Sequence, residues 1–472
     1  MINGLSRQWV AALVLVLSGL CGCAVNQARD VQTYRDVLDG THAATEDSFH
    51  PDGPLTLRDA LRLANAHNEQ LAIAGENYLQ ALIDKDRAFA AFLPTIGFAA
   101  TFLSQGKTDF AADNPLIAAF EPPHATDALL DARMNVHPFR DVPAIQAAGA
   151  TSRVQRALLL DRQAIVLLDV AKTYFQVLRS EKQVALLGAS IETDECRVSD
   201  MRIRLKAGAA RPVDLSLTEA QLAKTQNMLI QARDDVKNGR AMLAFLIGVP
   251  EVAEPLSDDL GNPPAAQQID PLLHIADGHR QDLMAAREQV QAAAAALEAA
   301  WGQYFPSVSL NLTRYLSRET FPTDLNWGSI IQINVPLFSA GLIHADVRTA
   351  YSRLRQAQLY ENNIRRQVLK DIRIAVENLQ SDDQQIRQLV IQVQAARNGT
   401  DQAKAEFDAG VGTNLQFLIA QNRLLSAELD LATARFNRSI DYLSLLRASG
   451  SLDPDLSASL PSGQGAVSES SS

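Results

Sequence analysis

Two stretches of the chain share one design. Asn68–Phe98 reads NEQLAIAGENYLQALIDKDRAFAAFLPTIGF and Arg280–Leu310 reads RQDLMAAREQVQAAAAALEAAWGQYFPSVSL. Each is an Ala-rich helical run, a Leu-Pro or Phe-Pro step at Pro94 or Pro306, and then an alternating strand. A second match follows in the same order, Met134–Phe139 (MNVHPF) against Ile333–Phe338 (INVPLF), each succeeded by a very long helical segment. Self-similarity on this scale marks a duplicated helix–strand–strand–helix unit and excludes a short solenoid repeat. Every element must therefore be accounted for in two copies.

The long segments, Arg140–Ala207 and Leu342–Ala409, each span about 68 residues and would extend on the order of 100 Å as helices. No compact globule holds a helix of that length. In the second copy a 4-3 spacing runs through Val368, Ile372, Ala375, Leu379, Asp382, Ile386, Leu389, Val393 and Ala396. The first copy answers with Val166, Val170, Thr173, Val177, Ser180, Val184, Leu187, Ile191 and Asp194. Both seams are apolar, and both carry a polar residue at one matching step, Ser180 and Asp382, so a coiled-coil seam is present in duplicate. Each segment stops at a glycine turn, Gly208 and Gly410, suited to a left-handed C-cap. Pro212 and Asn414 then open a return helix. The expectation is two helical hairpins, Arg140–Pro250 and Leu342–Gly450, whose tips lie far from the strands.

Four short segments read as strands. Ile96, Phe98 and Phe102 alternate with small or polar residues over Thr95–Leu103, and Ala132, Met134 and Val136 alternate with polar residues over Asp131–His137. In the second half Val308, Leu310 and Leu312, then Ile331, Ile333 and Val335, repeat the pattern. A sheet with one apolar and one polar face separates unlike environments. Packed on helices it would be ordinary. In a membrane it would be part of a barrel, and four strands cannot close one, so several chains would have to share it.

The amino terminus favours the second setting. Arg7, the apolar run Val10–Leu17 and the close Leu20-Cys21-Gly22-Cys23 read as an export signal over residues 1–22, too short to span a bilayer. Leu20 and Gly22 before Cys23 resemble the lipobox of bacterial lipoproteins, which implies that Cys23 becomes a lipidated first residue. Ala24 in place of Asp points that resemblance to the outer membrane. The other reading is an ordinary signal peptide with a chance cysteine; Cys21 fits less well because Leu20 would occupy a site that must be small. Residues 23–54 read as a polar tether. Thr56 caps a helix running to about Phe92, and 55–250 forms the first unit. Residues 251–271 form a connector, 272–450 the second unit, and 451–472 a Ser/Gly-rich disordered tail.

With a net charge of −11 and no basic stripe, nucleic acid is excluded as a partner. A hydrophobic fraction of 47% with only 6% aromatics suits long helices. The lone Cys196 reads as an exposed helix site. The eight histidines follow no zinc spacing, and there is no P-loop, dinucleotide glycine pattern or nucleophile elbow. The expectation is no enzyme, no metal and no cofactor.

Trp327-Gly-Ser-Ile-Ile-Gln-Ile-Asn-Val-Pro336-Leu337-Phe338-Ser-Ala-Gly341 resembles the strand-to-helix signature of the outer-membrane efflux proteins, the TolC-like family. Leu93-Pro94 and Phe305-Pro306 match the family's strand entry, while Asp408-Ala-Gly410 and Leu415–Glu428 are similar to its hairpin tip and return helix. The resemblance covers Leu55–Gly450. It implies a mainly α fold with a small β part: a homotrimer whose strands make one shared twelve-stranded transmembrane β-barrel above an α-barrel of coiled-coil hairpins. It also implies an inner-membrane pump reached through a periplasmic adaptor protein. The function implied is a passive duct of a tripartite efflux system in the outer membrane. A duct for protein secretion and a structural periplasmic coiled-coil lipoprotein are the alternatives.

The first copy departs from the signature at His137-Pro-Phe-Arg-Asp-Val-Pro143, and its inter-strand region is longer, with extra residues around Asn114–Thr126 read as an outward loop. Relatives carry acidic residues after the second tip. Here Gln416 and Ile419 stand there, and Asp214 holds the equivalent place in the first copy. A three-fold ring of Asp214 could bias the entrance toward cations, or Asp214 simply favours its own helix N-terminus. The tips (Gly208, Ala209, Ala210; Gly410, Val411, Gly412) serve as caps and are small enough for adaptor docking. Trp301, Tyr304, Phe305, Trp327 and Phe338 cluster at strand ends, as an aromatic girdle would; an ordinary core patch is the other reading.

Overall fold

The computed structural model describes residues 25–40, 53–106, 124–258, 260, 261, 263, 264 and 268–456. Cys23 and most of the extra loop between the first two strands lie outside the described residues. The element order is α1 (Gln27–Asp39), α2 (Leu57–His67), α3 (Glu69–Ala90), β1 (Thr95–Ser104), β2 (His124–Val136), α4 (Pro138–Lys206), α5 (Pro212–Ile247), α6 (Ile269–His279), α7 (Gln281–Gly302), β3 (Ser307–Ser317), β4 (Trp327–Asn334), α8 (Leu342–Asp408) and α9 (Asn414–Ser449). The duplication is thus visible as α2-α3-β1-β2-α4-α5 followed by α6-α7-β3-β4-α8-α9. The long helices hold 69 and 67 residues.

The helix expected from Thr56 to Phe92 is broken at Asn68, and its counterpart breaks at Arg280. Both residues have extended backbone, with ψ of 122° and 111°. Each reaches back to the end of a return helix: Asn68 Nδ2 donates to the Leu246 carbonyl at 2.8 Å, and Arg280 Nη1 to the Ala448 carbonyl at 3.1 Å. These carbonyls belong to the last turn, where helices leave acceptors unpaired, so the break gives the helix ends their partners. The return helices then end at Gly248 and Gly450, both left-handed (φ 72° and 76°).

The core sits at mid-rod. Leu57, Leu61 and Leu71 from the first unit's entry helices, Val166, Val170, Tyr174 and Phe175 from α4, and Ile372, Leu379, Leu443 and Leu446 from the second unit form one buried cluster. Here the predicted seam residues Val166, Val170, Val177, Val368, Ile372 and Leu379 are all buried. Tyr174 Oη lies 2.6 and 2.7 Å from the carbonyls of Leu55 and Ser257, which share its single hydroxyl proton, and accepts from Ser257 N at 3.1 Å, tying the start of the first unit and the connector to the rod.

Two expectations at the termini need correction. Residues 23–54 are not merely a tether: α1, capped by Asn26, buries Tyr34 and Leu38 in the main core. Gly75 makes this possible, because a Cβ there would collide with the Tyr34 ring. Nor does the tail begin at 451, since Leu452 is buried in the core and Asp455 pairs with Arg62 at 2.8 Å. Residues 41–52 and 457–472 lie outside the described set.

The four strands form one antiparallel sheet in the order β1-β2-β3-β4. β2 starts seven residues earlier than its alternation suggested, because His124 and Thr126 interrupt the apolar face and Leu129 adds an apolar residue to the other, while the register with β1 runs unbroken. The one register shift, against β3, leaves its extra residue at Leu316. Register places Ile96 beside Ala132 beside Leu312, Met134 beside Leu310 beside Ile331, and Val136 beside Val308 beside Ile333. All of these share one face. The other face carries Asp131, Arg133, Asn135, Ser309, Asn311, Thr313 and Gln332, with Leu103, Leu129, Tyr315 and Ile330 as large apolar exceptions.

Candidate functional site: an exposed apolar sheet face and a polar clamp at the helical tips

The apolar face of the sheet is bare in the single chain. Ile96 is 77% exposed, Phe102 78%, Ile331 69% and Ile333 67%. Phe98, Val308, Leu310, Leu312, Leu316 and Trp327 are exposed as well. At ~1.5–3 kcal/mol for burying each large apolar side chain, leaving ten of them in water forgoes on the order of 20 kcal/mol. That exceeds the ~5–15 kcal/mol of net stability of an ordinary domain. A water-facing sheet does not carry this face; a lipid-facing one does. Among the described residues β1 and β4 also leave their outer edges unpaired, which hydrocarbon does not tolerate.

At the foot of the sheet, Phe139 stacks on Phe305 with ring centroids 4.4 Å apart, and Trp301 lies 5.7 Å from Tyr304. Leu337 (93% exposed) and Phe338 (89%) project from the turn that Pro336 begins. Gly341 closes that turn with φ 84°, a value glycine adopts freely, and caps α8. The first copy has no such turn, because Pro138 starts α4 directly after His137. That is the physical content of its departure from the signature. No helix among the described residues is long and apolar enough to cross a membrane.

The tips sit at the opposite end of the hairpins. Gly208 (φ 74°) and Gly410 (φ 78°) cap their helices in the left-handed conformation. Ala209 N donates to the Arg204 carbonyl at 2.8 Å, and Val411 N to the Glu406 carbonyl at 3.0 Å. Val411 is 81% exposed, and Gly412 packs closely on Glu406 and Phe407. Asp214 and Gln416 do the same local work. The Asp214 carboxylate accepts from Arg211 N (3.2 Å) and from the Arg211 guanidinium (3.0 and 3.1 Å), while Gln416 Oε1 accepts from Thr413 N at 2.9 Å. The Arg211 hydrogen bond holds the Asp214 carboxyl below the ordinary carboxylate range. Within one chain both residues therefore act as caps.

Beside them lies a cluster that the sequence did not reveal. Arg197 of α4 is buried against the second hairpin. Its Nη1 donates to Gln421 Oε1 (2.9 Å), its Nη2 to Asn414 Oδ1 (3.0 Å), and its guanidinium lies 3.5 Å from the centroid of the Phe417 ring. Gln421 Nε2 in turn donates to Asp194 (2.8 Å), which also accepts from Thr225 Oγ1 (3.0 Å). Asn414 Nδ2 donates to the Asp214 carbonyl (3.0 Å), and Gln221 and Asn422 exchange amide hydrogen bonds at 2.8 and 3.0 Å. Burial pushes Asp194 up and lowers Arg197 to about 10, each effect opposed by the partner's charge. The arrangement clamps α4 and α5 to α9 just above the tips. Cys196 beside it is exposed and free. The described residues hold no group of three or more His, Cys, Asp or Glu placed to bind a metal.

An exposed apolar sheet with open edges, mounted on two hairpins of this length, is the geometry of a membrane-embedded duct. The sequence matches the family described as outer membrane efflux protein over residues 60–249 and 272–451. The chain belongs to that family. Among curated relatives it is 21% identical over 429 residues to the outer membrane protein TolC of Escherichia coli K12, covering 84% of this chain and 85% of that one. It is 22% identical over 306 residues to the proteases secretion protein PrtF of Dickeya chrysanthemi, covering 62% and 66%. Among solved structures, the outer membrane protein VceC of Vibrio cholerae superposes with a TM-score of 0.73 at 21% identity, covering 84% of this chain and 96% of that one. Of the signature residues, Pro336, Leu337, Phe338 and Gly341 lie between β4 and α8, whereas Trp327 opens β4 at the strand's other end.

Proposed function

We propose that three copies of this chain form a passive outer-membrane duct that carries small molecules away from an inner-membrane pump. The observation that carries this reading is the bare apolar sheet face with two open edges, above hairpins on the order of 100 Å long. Pairing β4 of one copy with β1 of the next satisfies both edges, and three copies supply twelve strands, an even number within the bacterial barrel range. The mostly polar opposite face then lines water. The hairpins continue the tube into the periplasm, and the tips (Gly208, Ala209, Gly410, Val411, Gly412) meet an adaptor protein. The clamp around Arg197 holds each protomer's two hairpins together at the entrance, where Asp214 and Gln416 ring the opening.

Single-channel conductance of the purified protein in planar bilayers tests the duct. Small, rare currents from the wild type and larger ones after the clamp is cut are expected. Protein that never conducts, even with the clamp cut, refutes it. Lipidation at Cys23 is read out by palmitate labelling, which the Cys23→Ala variant should abolish.

A second reading, export of a protein, is favoured by the likeness to a protease secretion protein. Profiling a deletion strain separates the two: sensitivity to drugs, dyes or metals supports efflux, and loss of a secreted protein supports the second reading.

A further inference from the structure

The lipid-facing side of β3 reads Val308, Leu310, Leu312, Arg314, Leu316, every one of them exposed, while the residues between them are partly covered on the opposite face. Arg314 is the only Asp, Glu, Lys or Arg on the apolar face among the described strand residues. It lies directly between Leu130 of β2 and Trp327 of β4. Its one hydrogen bond among the described residues is a long one, from Nη1 to the Asn326 carbonyl at 3.4 Å. A guanidinium has five N–H donors and no acceptor, so most of this group is unspent. The neighbouring Arg318 differs: it stacks over Tyr315 (4.3 Å) and donates to the carbonyls of Thr320 and Phe321.

Height decides what Arg314 meets. It lies seven residues beyond Ser307, and at ~3.3 Å per residue with a strand tilt near 40° it stands about 18 Å above the strand's start. Tyr304 and Phe305 lie below that start, so the aromatic foot and the Arg314–Trp327 level are separated by nearly the ~25 Å of an outer-membrane apolar band. An arginine on the lipid face is strongly unfavourable at the bilayer midplane and close to neutral at the interface. Trp327 is a residue type that settles at that boundary. A cation there faces headgroups, and a planar fork of donors matches a phosphate.

We propose that Arg314, with Trp327 beside it, binds the phosphate of an anionic lipid headgroup in the outer leaflet, once per protomer around the barrel. The proposal rests on the barrel reading given above.

The test uses the mature protein reconstituted in vesicles, with Trp301 replaced by Phe so that, once the export signal and its Trp9 are removed, Trp327 is the sole reporter. Quenching of its fluorescence is compared for brominated phosphatidylglycerol and brominated phosphatidylcholine. A single basic residue at a membrane surface predicts about a fivefold preference for the anionic lipid. R314Q should lose that preference, R314K should keep most of it, and R133Q, altered on the opposite face, should keep it all. Equal quenching by the two lipids in the Arg314 protein overturns the proposal, as does an undiminished preference in R314Q. Loss of the preference on adding inorganic phosphate assigns the group to a free anion and overturns the lipid assignment. Failure of both lipids to quench has a different meaning: the face is then not in the bilayer, and the barrel reading itself falls.

Discussion

Replacing Arg197 by methionine removes the centre of the clamp while keeping much of its volume. The side chain makes two hydrogen bonds across the hairpins, to Gln421 and Asn414, and covers the Phe417 ring at 3.5 Å. Charge-assisted hydrogen bonds are worth ~1.5–3 kcal/mol each, and a desolvated cation–π contact up to about 2 kcal/mol. Part of that is returned, because methionine need not pay the cost of burying a charge. Asp194 keeps its bonds from Gln421 and Thr225 but loses its counter-charge. A net loss of about 3 kcal/mol follows, confined to the tip, which is about a 150-fold rise in its open population at ~1.4 kcal/mol per factor of ten. Native-state hydrogen exchange reads this directly. Amides over 405–425 should exchange on the order of 100 times faster, while those around Tyr174 are unchanged, and channel currents should rise. Adding Asn414→Ala should cost less than it does alone by about the one shared bond, because its bonds to the Asp214 carbonyl and Thr218 are lost either way. Arg202→Met, a control at the exposed pair with Glu219 (2.8 Å) within the first hairpin, should cost less than about 1 kcal/mol. Unchanged tip exchange in Arg197→Met, or loss of protection spread evenly along the rod, refutes the clamp.

Other outcomes follow from the same structure. Asp382, on the α8 seam and buried, is pushed up to about 7 by burial and by the neighbouring Asp441 carboxylate. A carboxyl raised in the folded state binds more protons there than when unfolded, so its contribution to stability falls as pH rises from about 4 to 7. Asp382→Asn should therefore raise the melting temperature more at pH 8 than at pH 5; the reverse order in a thermal scan contradicts the assignment. Gly410→Ala, at φ 78°, should cost about 1 kcal/mol, whereas Gly399→Ala, inside α8 with open space around it, should add ~0.5–1 kcal/mol; paired denaturation curves check both signs. Tyr174→Phe leaves the Leu55 and Ser257 carbonyls without a shared donor. It should cost ~1–3 kcal/mol and speed proteolysis within the connector.

The duplicated elements were legible because each obeys a period: 4-3 along the hairpins, two along the strands. Val166 and Val368 therefore fell into the core as expected. The alternation in β2 fades toward its start, where His124 and Thr126 sit on the apolar face and Leu129 on the polar one, so the sequence pattern shows only its second half. The break at Asn68 was missed because the Ala-rich pattern runs through it, and its cause is a carbonyl 178 residues away. The clamp was missed for a related reason. Each of its members is an unremarkable helix-surface polar residue until the hairpins are laid together. A signal did exist. Asn414 and Gln421 stand one heptad apart, as do Thr218 and Thr225, at steps where a seam should be apolar. The early part of residues 23–54 read as a tether because α1 is polar on all sides but one. Tyr34 and Leu38 form that one side.

The two copies differ most where their symmetry matters least to the fold. At mid-rod the breaks at Asn68 and Arg280 do one job with different chemistry, an amide and a buried guanidinium, and the helices still end alike. At the tips the copies are no longer interchangeable. Asp194 of the first seam corresponds to Ala396 of the second, so only one side of each hairpin pair carries the acceptor that Gln421 needs. The seam shows the same inequality: Leu389 and Val393 on α8 are only half-buried in one chain, whereas their counterparts Leu187 and Ile191 in α4 are covered. A tube built from three such chains has six hairpins but two kinds of contact between neighbours. The contact within a chain is held by Arg197 and its partners, and the contact between chains relies on the half-covered seam and whatever the next copy brings. An entrance with alternating contacts can open by loosening one kind while the other keeps the tube intact, which a perfectly sixfold ring could not do.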